Sequence, residues 1–130
     1  MPLQIKDVKV QPISDGEEIL INVTKKADYR PFLLQNPPRL VVDMPVFSWA
    51  VNKQALKNYK GRLVSNIRYA KFDKQTSRIV FDLSEDVIVR DYTIGEGKFA
   101  ADRMKFFIKP AAMQKAKIPN SVKQKAVDSE

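Results

Sequence analysis

The stretch Ile19-Leu-Ile-Asn-Val-Thr-Lys-Lys-Ala-Asp-Tyr-Arg-Pro-Phe-Leu-Leu34 has a counterpart sixty residues on, Ile79-Val-Phe-Asp-Leu-Ser-Glu-Asp-Val-Ile-Val-Arg-Asp-Tyr-Thr-Ile94. Set one above the other without a gap, Ile19 meets Ile79, Asn22 meets Asp82, Thr24 meets Ser84, Arg30 meets Arg90 and Phe32 meets Tyr92. Apolar residues alternate in each copy: Ile19, Ile21 and Val23 in the first, Ile79, Phe81 and Leu83 in the second. A period of two puts these side chains on one face of a strand and turns Arg78, Val80 and Asp82 to the other. Each copy opens on a short strand, Val8-Lys-Val10 or Ile67-Arg-Tyr69. Each closes on an apolar run that ends in proline, Leu40-Val-Val-Asp-Met-Pro45 or Lys105-Phe-Phe-Ile-Lys-Pro110. Four strands cannot bury an apolar face alone, whereas two such copies packed together can. The expected fold is therefore all-β: a small β-sandwich of two similar four-stranded antiparallel sheets related by an internal repeat.

Strands are expected over 8–10, 19–24, 40–44, 67–72, 78–84 and 104–109, separated by turn signals at Ser14-Asp-Gly-Glu17, Asn36-Pro-Pro38, Asp73-Lys-Gln-Thr-Ser77 and Gly95-Glu-Gly97. Residues 52–59 offer room for at most one short helix. Large apolar residues become sparse after Pro110, so residues 5–110 read as one domain and 111–130 as a linker or frayed C-terminal tail.

The composition narrows the function. The chain has no cysteine, which excludes disulfides, thiol nucleophiles and iron–sulfur clusters. It has no histidine, which removes the Ser–His–Asp triad and every His-ligated metal site. No enzyme activity, cofactor or metal is expected. Asp43 and Asp82 lie on strands rather than in a cleft that would tune them for acid–base work. Lys and Arg number 23 against 15 Asp and Glu, for a net charge of +8. That balance suits a polyanionic partner, although lysines solvating the surface would give the same count. Nucleic acid is not expected as that partner, because the basic residues are dispersed, no RNP-like motif is present, and Phe81 points inward. No apolar run reaches the roughly 18–20 residues of a transmembrane segment. The first ten residues lack the apolar core and small-residue cleavage site of a signal peptide.

The stretch Asn36-Pro-Pro-Arg-Leu-Val-Val-Asp-Met-Pro45 places a short strand between prolines, with Arg39, Val41 and Asp43 on one side and Leu40, Val42 and Met44 on the other. Pro38, Arg39, Asp43 and Pro45 form a structural signature. The two charges are expected to pair across strands rather than with each other. This stretch resembles the signature of the AMIN domain. Gly61-Arg-Leu-Val-Ser-Asn-Ile-Arg-Tyr-Ala-Lys-Phe72 and Ser77-Arg-Ile-Val-Phe-Asp-Leu83 resemble two further strands of that family, so the likeness covers about Ile5 to Pro110. AMIN domains are non-catalytic modules of periplasmic N-acetylmuramoyl-L-alanine amidases and occur also in type IV pilus secretins. The resemblance implies a periplasmic targeting module that binds peptidoglycan, or another envelope polymer, and localises an attached protein. The competing reading is a protein–protein adaptor in a secretin, pilus or other envelope assembly.

The ligand contacts expected from exposed basic and aromatic residues are Arg68, Tyr69, Lys71, Arg78, Tyr29 and Arg30. Arginine can hold a carboxylate in a bidentate fork, and an aromatic face can stack on sugar C–H surfaces. Tyr69 has a competing place in the core beside Ile67. Trp49 reads as a core plug before it reads as a contact for a partner protein.

Overall fold

The computed structural model describes residues 2–52, 61–90 and 98–112. Eight strands follow one another along the chain: β1 (Gln4–Ile13), β2 (Gly16–Leu34), β3 (Arg39–Pro45), β4 (Ser48–Trp49), β5 (Val64–Lys71), β6 (Thr76–Leu83), β7 (Val87–Arg90) and β8 (Phe99–Pro110). The fold is all-β. The short helix expected over 52–59 lies, apart from Asn52, outside the described residues, as does the tail from residue 113 on.

Two antiparallel ladders build the molecule. One runs β1-β2-β8-β7, and the other runs β5-β6-β3-β2. The orders correspond when β1, the two halves of β2, and β3 of the first copy are matched to β5, β6, β7 and β8 of the second. Each copy thus lends its last strand to the other: β3 pairs with β6, and β8 pairs with β2. The registers agree in detail. Val8 faces Ile21 as Ile67 faces Phe81, and Arg30 faces Asp43 as Arg90 faces Phe107. A register shift interrupts β1 between Ile5 and Asp7, and another interrupts β5 at the matching place, between Val64 and Asn66.

The strands depart from the sequence reading in three ways. First, β2 is one strand of 19 residues that serves both ladders, so hydrogen bonding runs through a single eight-stranded sheet rather than two separate ones. Thr24-Lys-Lys26 continues as strand, whereas the matching Ser84-Glu-Asp86 breaks the second copy into β6 and β7. Pro31 is accommodated because β8 leaves β2 at Tyr29, and beyond that point, among the described residues, β2 pairs only with β3. Second, two-residue β4 adds to β1 in parallel. Third, matching the copies on their closing prolines is one residue out of register. Ile21 faces Met104 where Phe81 faces Leu40, so Leu40 corresponds to Met104 and not to Lys105. A slip of one would exchange the buried and solvent faces of a strand, and burial agrees: Leu40 and Met104 are both fully buried, while Lys105 is exposed.

One apolar cluster draws on both ladders. Ile5, Ile19 and Ile21 meet Leu40, Val42, Ile79, Phe81, Met104 and Phe106, all at essentially zero exposure. Each such side chain contributes about 1.5–3 kcal/mol by leaving water. Glu17 is the buried charge beside this core. Its carboxylate accepts the backbone N–H groups of Arg62 at 2.8 Å, Leu63 at 3.0 Å and Val64 at 2.9 Å, tying the entrance of β5 to the start of β2. The preceding residue must be glycine: a Cβ on Gly16 would stand 1.8 Å from the Ile108 carbonyl oxygen.

Candidate functional site

Strand β6 buries Ile79, Phe81 and Leu83 and turns Arg78, Val80 and Asp82 outward. Across the ladder, Arg78 lies between Asp43 and Ala70, Val80 between Val41 and Arg68, and Asp82 between Arg39 and Asn66. Arg30 and Phe32 of β2 extend the same rows, opposite Asp43 and Val41. The face turned away from the core therefore carries Arg30, Arg39, Arg68 and Arg78, with two aspartates among them.

The aspartates hold two of the four guanidinium groups. Arg78 donates from Nε to Asp43 Oδ1 at 2.8 Å and from Nη2 to Asp43 Oδ2 at 3.1 Å. Arg68 grips Asp82 in the same manner, at 2.8 and 3.0 Å. The Arg68 hydrogen bonds, with Asn66 and the Arg39 charge nearby, hold the Asp82 carboxyl below its ordinary range despite partial burial. Hydrogen bonds donated to their aspartates raise both guanidinium groups above their ordinary value, so each stays charged.

Aromatic rings flank Arg78 and Arg30. Arg78 lies 3.9 Å from the centre of the Phe72 ring and 5.3 Å from that of Phe32, and Arg30 lies 4.9 Å from the Phe32 ring. Phe72 is 58% exposed at the β5–β6 turn. The turn is fixed by Asp73, whose Oδ1 accepts the N–H groups of Gln75 and Thr76. A groove of about 250 Å³ runs past Leu34, Arg39, Val41, Arg68, Arg78 and Val80. Arg39 Nε is buried and has no hydrogen-bond partner among the described residues. A second hollow, of about 350 Å³, meets Arg30, Asp43, Pro45 and Thr76.

Three of the six expected contacts, Arg30, Arg68 and Arg78, converge on this face. Two others do not. Tyr69 and Lys71 are exposed, but strand alternation sends them to the side opposite Arg68. Tyr69 does not fill the core beside Ile67 either: it stacks on Trp49 at 4.0 Å and 10°, with Phe47 beside both rings, where β4 approaches β5. Trp49 is half-buried in that cluster. The sixth, Tyr29, is a correction. It is only 6% exposed and packs against Phe99 and edge-on against Phe106, because β8 continues along β2 as far as Tyr29. Phe32 and Phe72, which flank Arg78, lie outside the six expected contacts, as does the fork between Arg68 and Asp82; Asp43, expected to pair across strands, does so with Arg78. Alternation alone could have placed Arg78, Asp82 and Asp43 on one face, but not shown which arginine each aspartate holds.

The signature stretch is structural in place. Pro38 precedes β3 and its carbonyl accepts Leu83 N–H at 3.0 Å; Pro45 closes the strand. Asn36, the only described non-glycine residue with a positive φ, takes the left-handed conformation that asparagine tolerates.

Among protein families, the AMIN domain matches residues 7–104. The chain belongs to the AMIN domain family. It is also 25% identical, over 122 residues, to the N-acetylmuramoyl-L-alanine amidase AmiC of Escherichia coli O6:H1 strain CFT073. That match covers 89% of this AMIN chain and 28% of the amidase. No helix among the described residues is long and apolar enough to cross a membrane.

Proposed function

We propose that this AMIN domain is a non-catalytic targeting module that binds peptidoglycan in the periplasm and so localises a protein attached to it. Residues 5–110 form the module, and 111–130 read as a linker or frayed tail. The Arg–Phe face of β2, β3, β6 and β5 is the contact surface. The observation that carries this reading is the Arg78 guanidinium, lodged between Phe72 and Phe32 on an exposed face of an AMIN domain whose relative is a cell-wall amidase. Such a face offers what a polymer of sugars and short peptides needs: flat apolar rings with polar donors at their edges.

The test is co-sedimentation with purified sacculi. The chain is expected to be retained at low salt, and Arg30→Glu combined with Phe72→Ala is expected to weaken retention several-fold. Failure of the unaltered chain to sediment would contradict the reading. A protein–protein adaptor is the second reading. It is favoured by the Phe47–Trp49–Tyr69 cluster, where Tyr69 is 44% and neighbouring Val46 41% exposed. Co-purification of an envelope protein that is lost in Tyr69→Ala, with no retention on sacculi, would support it.

A further inference from the structure

We infer that the Arg–Phe face recognises the glycan strand of peptidoglycan by stacking on its uncharged sugar rings, and does not capture the carboxylates of the stem peptides. This deepens the proposed function and rests on it.

Three observations carry it. First, two of the guanidinium forks on this face are already filled. Arg78 and Arg68 each spend Nε and Nη2 on an aspartate. A stem-peptide carboxylate could take either fork only by displacing Asp43 or Asp82, losing one bidentate pair for each one gained. Second, the groups that remain available are flat. Phe72, Arg78, Phe32 and Arg30 form an alternating row of rings and guanidinium planes, successive members 3.9 to 5.3 Å apart. The row ends on the exposed ring of Phe72. A sugar ring presents one face of C–H groups, which packs on such surfaces without requiring charge. Third, the groove beside the row is walled by the apolar side chains of Leu34, Val41 and Val80 as well as by Arg39. Such walls suit the C–H surface of a sugar ring.

The opposite face is a poorer candidate for stacking. Across β1, β2 and β8 it sets Lys9, Arg103 and Lys105 among Asp7, Asn22 and Glu18. Its described ring–guanidinium contact is Arg90 over Phe107, at 4.4 Å.

The experiment is competition during co-sedimentation with sacculi at 0.05 and about 0.5 M salt, conditions that shorten the screening length from about 14 to about 4 Å. The competitors are a neutral β-1,4-linked N-acetylglucosamine hexamer and a free stem tetrapeptide. The hexamer is expected to release the chain and the tetrapeptide to leave it bound, with most retention surviving the higher salt. Phe72→Ala, exposed and outside the core, is expected to weaken retention about ten-fold at both salts. Arg78→Lys keeps the charge but loses the plane and should weaken it too. Release by the tetrapeptide, release by neither competitor, or loss of retention at high salt overturns the inference while leaving peptidoglycan binding standing. Absence of retention at both salts overturns both.

Discussion

Arg78 shows how much one side chain organises here. It joins β6 to β3 through Asp43 and brings together the rings of Phe72 and Phe32. Arg78→Ala would leave the Asp43 carboxylate, only 15% exposed, without its partner. Urea unfolding is expected to show a loss of about 2 kcal/mol, more than an exposed ion pair gives. Asp82 provides a pH signature. Its folded value lies below the ordinary carboxylate range, so its contribution is complete above about pH 4 and is lost as pH falls through the depressed folded value. Because Arg68 is exposed, the effect is small. Asp82→Asn is expected to flatten that part of the acid-unfolding profile, and an unchanged profile would refute the assignment. At this scale the sequence was readable where alternation was strict, as at 78–83. It was not readable at Tyr29, whose neighbours Phe99 and Phe106 lie some seventy residues away and are aligned only by the β2–β8 register.

The strands themselves depend on two residues that no periodicity reveals. Gly16 lets β2 lie against the Ile108 carbonyl, and Gly16→Ala forces backbone apart at the point where β2 enters the sheet. A loss of about 3 kcal/mol or more, or failure to fold, is the expected outcome of thermal unfolding. Glu17 satisfies three amides at the start of β5. Glu17→Gln keeps one acceptor oxygen but turns an NH2 group toward an N–H. It should cost about 2 kcal/mol and speed hydrogen exchange at residues 62–64 first. Element existence was legible from apolar alternation and turn residues. The length of β2, the addition of β4 and the register of β8 were not. Each depends on which strand becomes a neighbour, and the closing prolines were a misleading guide because proline marks a strand end without specifying the residue paired before it.

At the scale of the molecule, the repeat explains why the chain needs both halves. Each copy gives its last strand to the other, so neither ladder is complete without a strand from the other copy, and the core is shared. The doubled architecture yields two outward faces of different character, although the underlying pairing is the same. One carries four arginines, two of them held by aspartates, interleaved with phenylalanines. The other sets Lys9, Arg103 and Lys105 among Asp7, Asn22 and Glu18. The all-β class and the repeat could be read from the sequence, and the absence of histidine and cysteine pointed away from chemistry. The candidate contact face could not be read, because the net charge of +8 describes the whole chain and not how it is distributed between the faces. Backbone amide chemical shifts, recorded while soluble muropeptides are added to the isotope-labelled chain, test the central claim most directly. Perturbations are expected to cluster at Phe32, Arg39, Arg68, Phe72 and Arg78. Perturbations confined to β1 and β8, or none at saturating muropeptide with the fold intact, would contradict it.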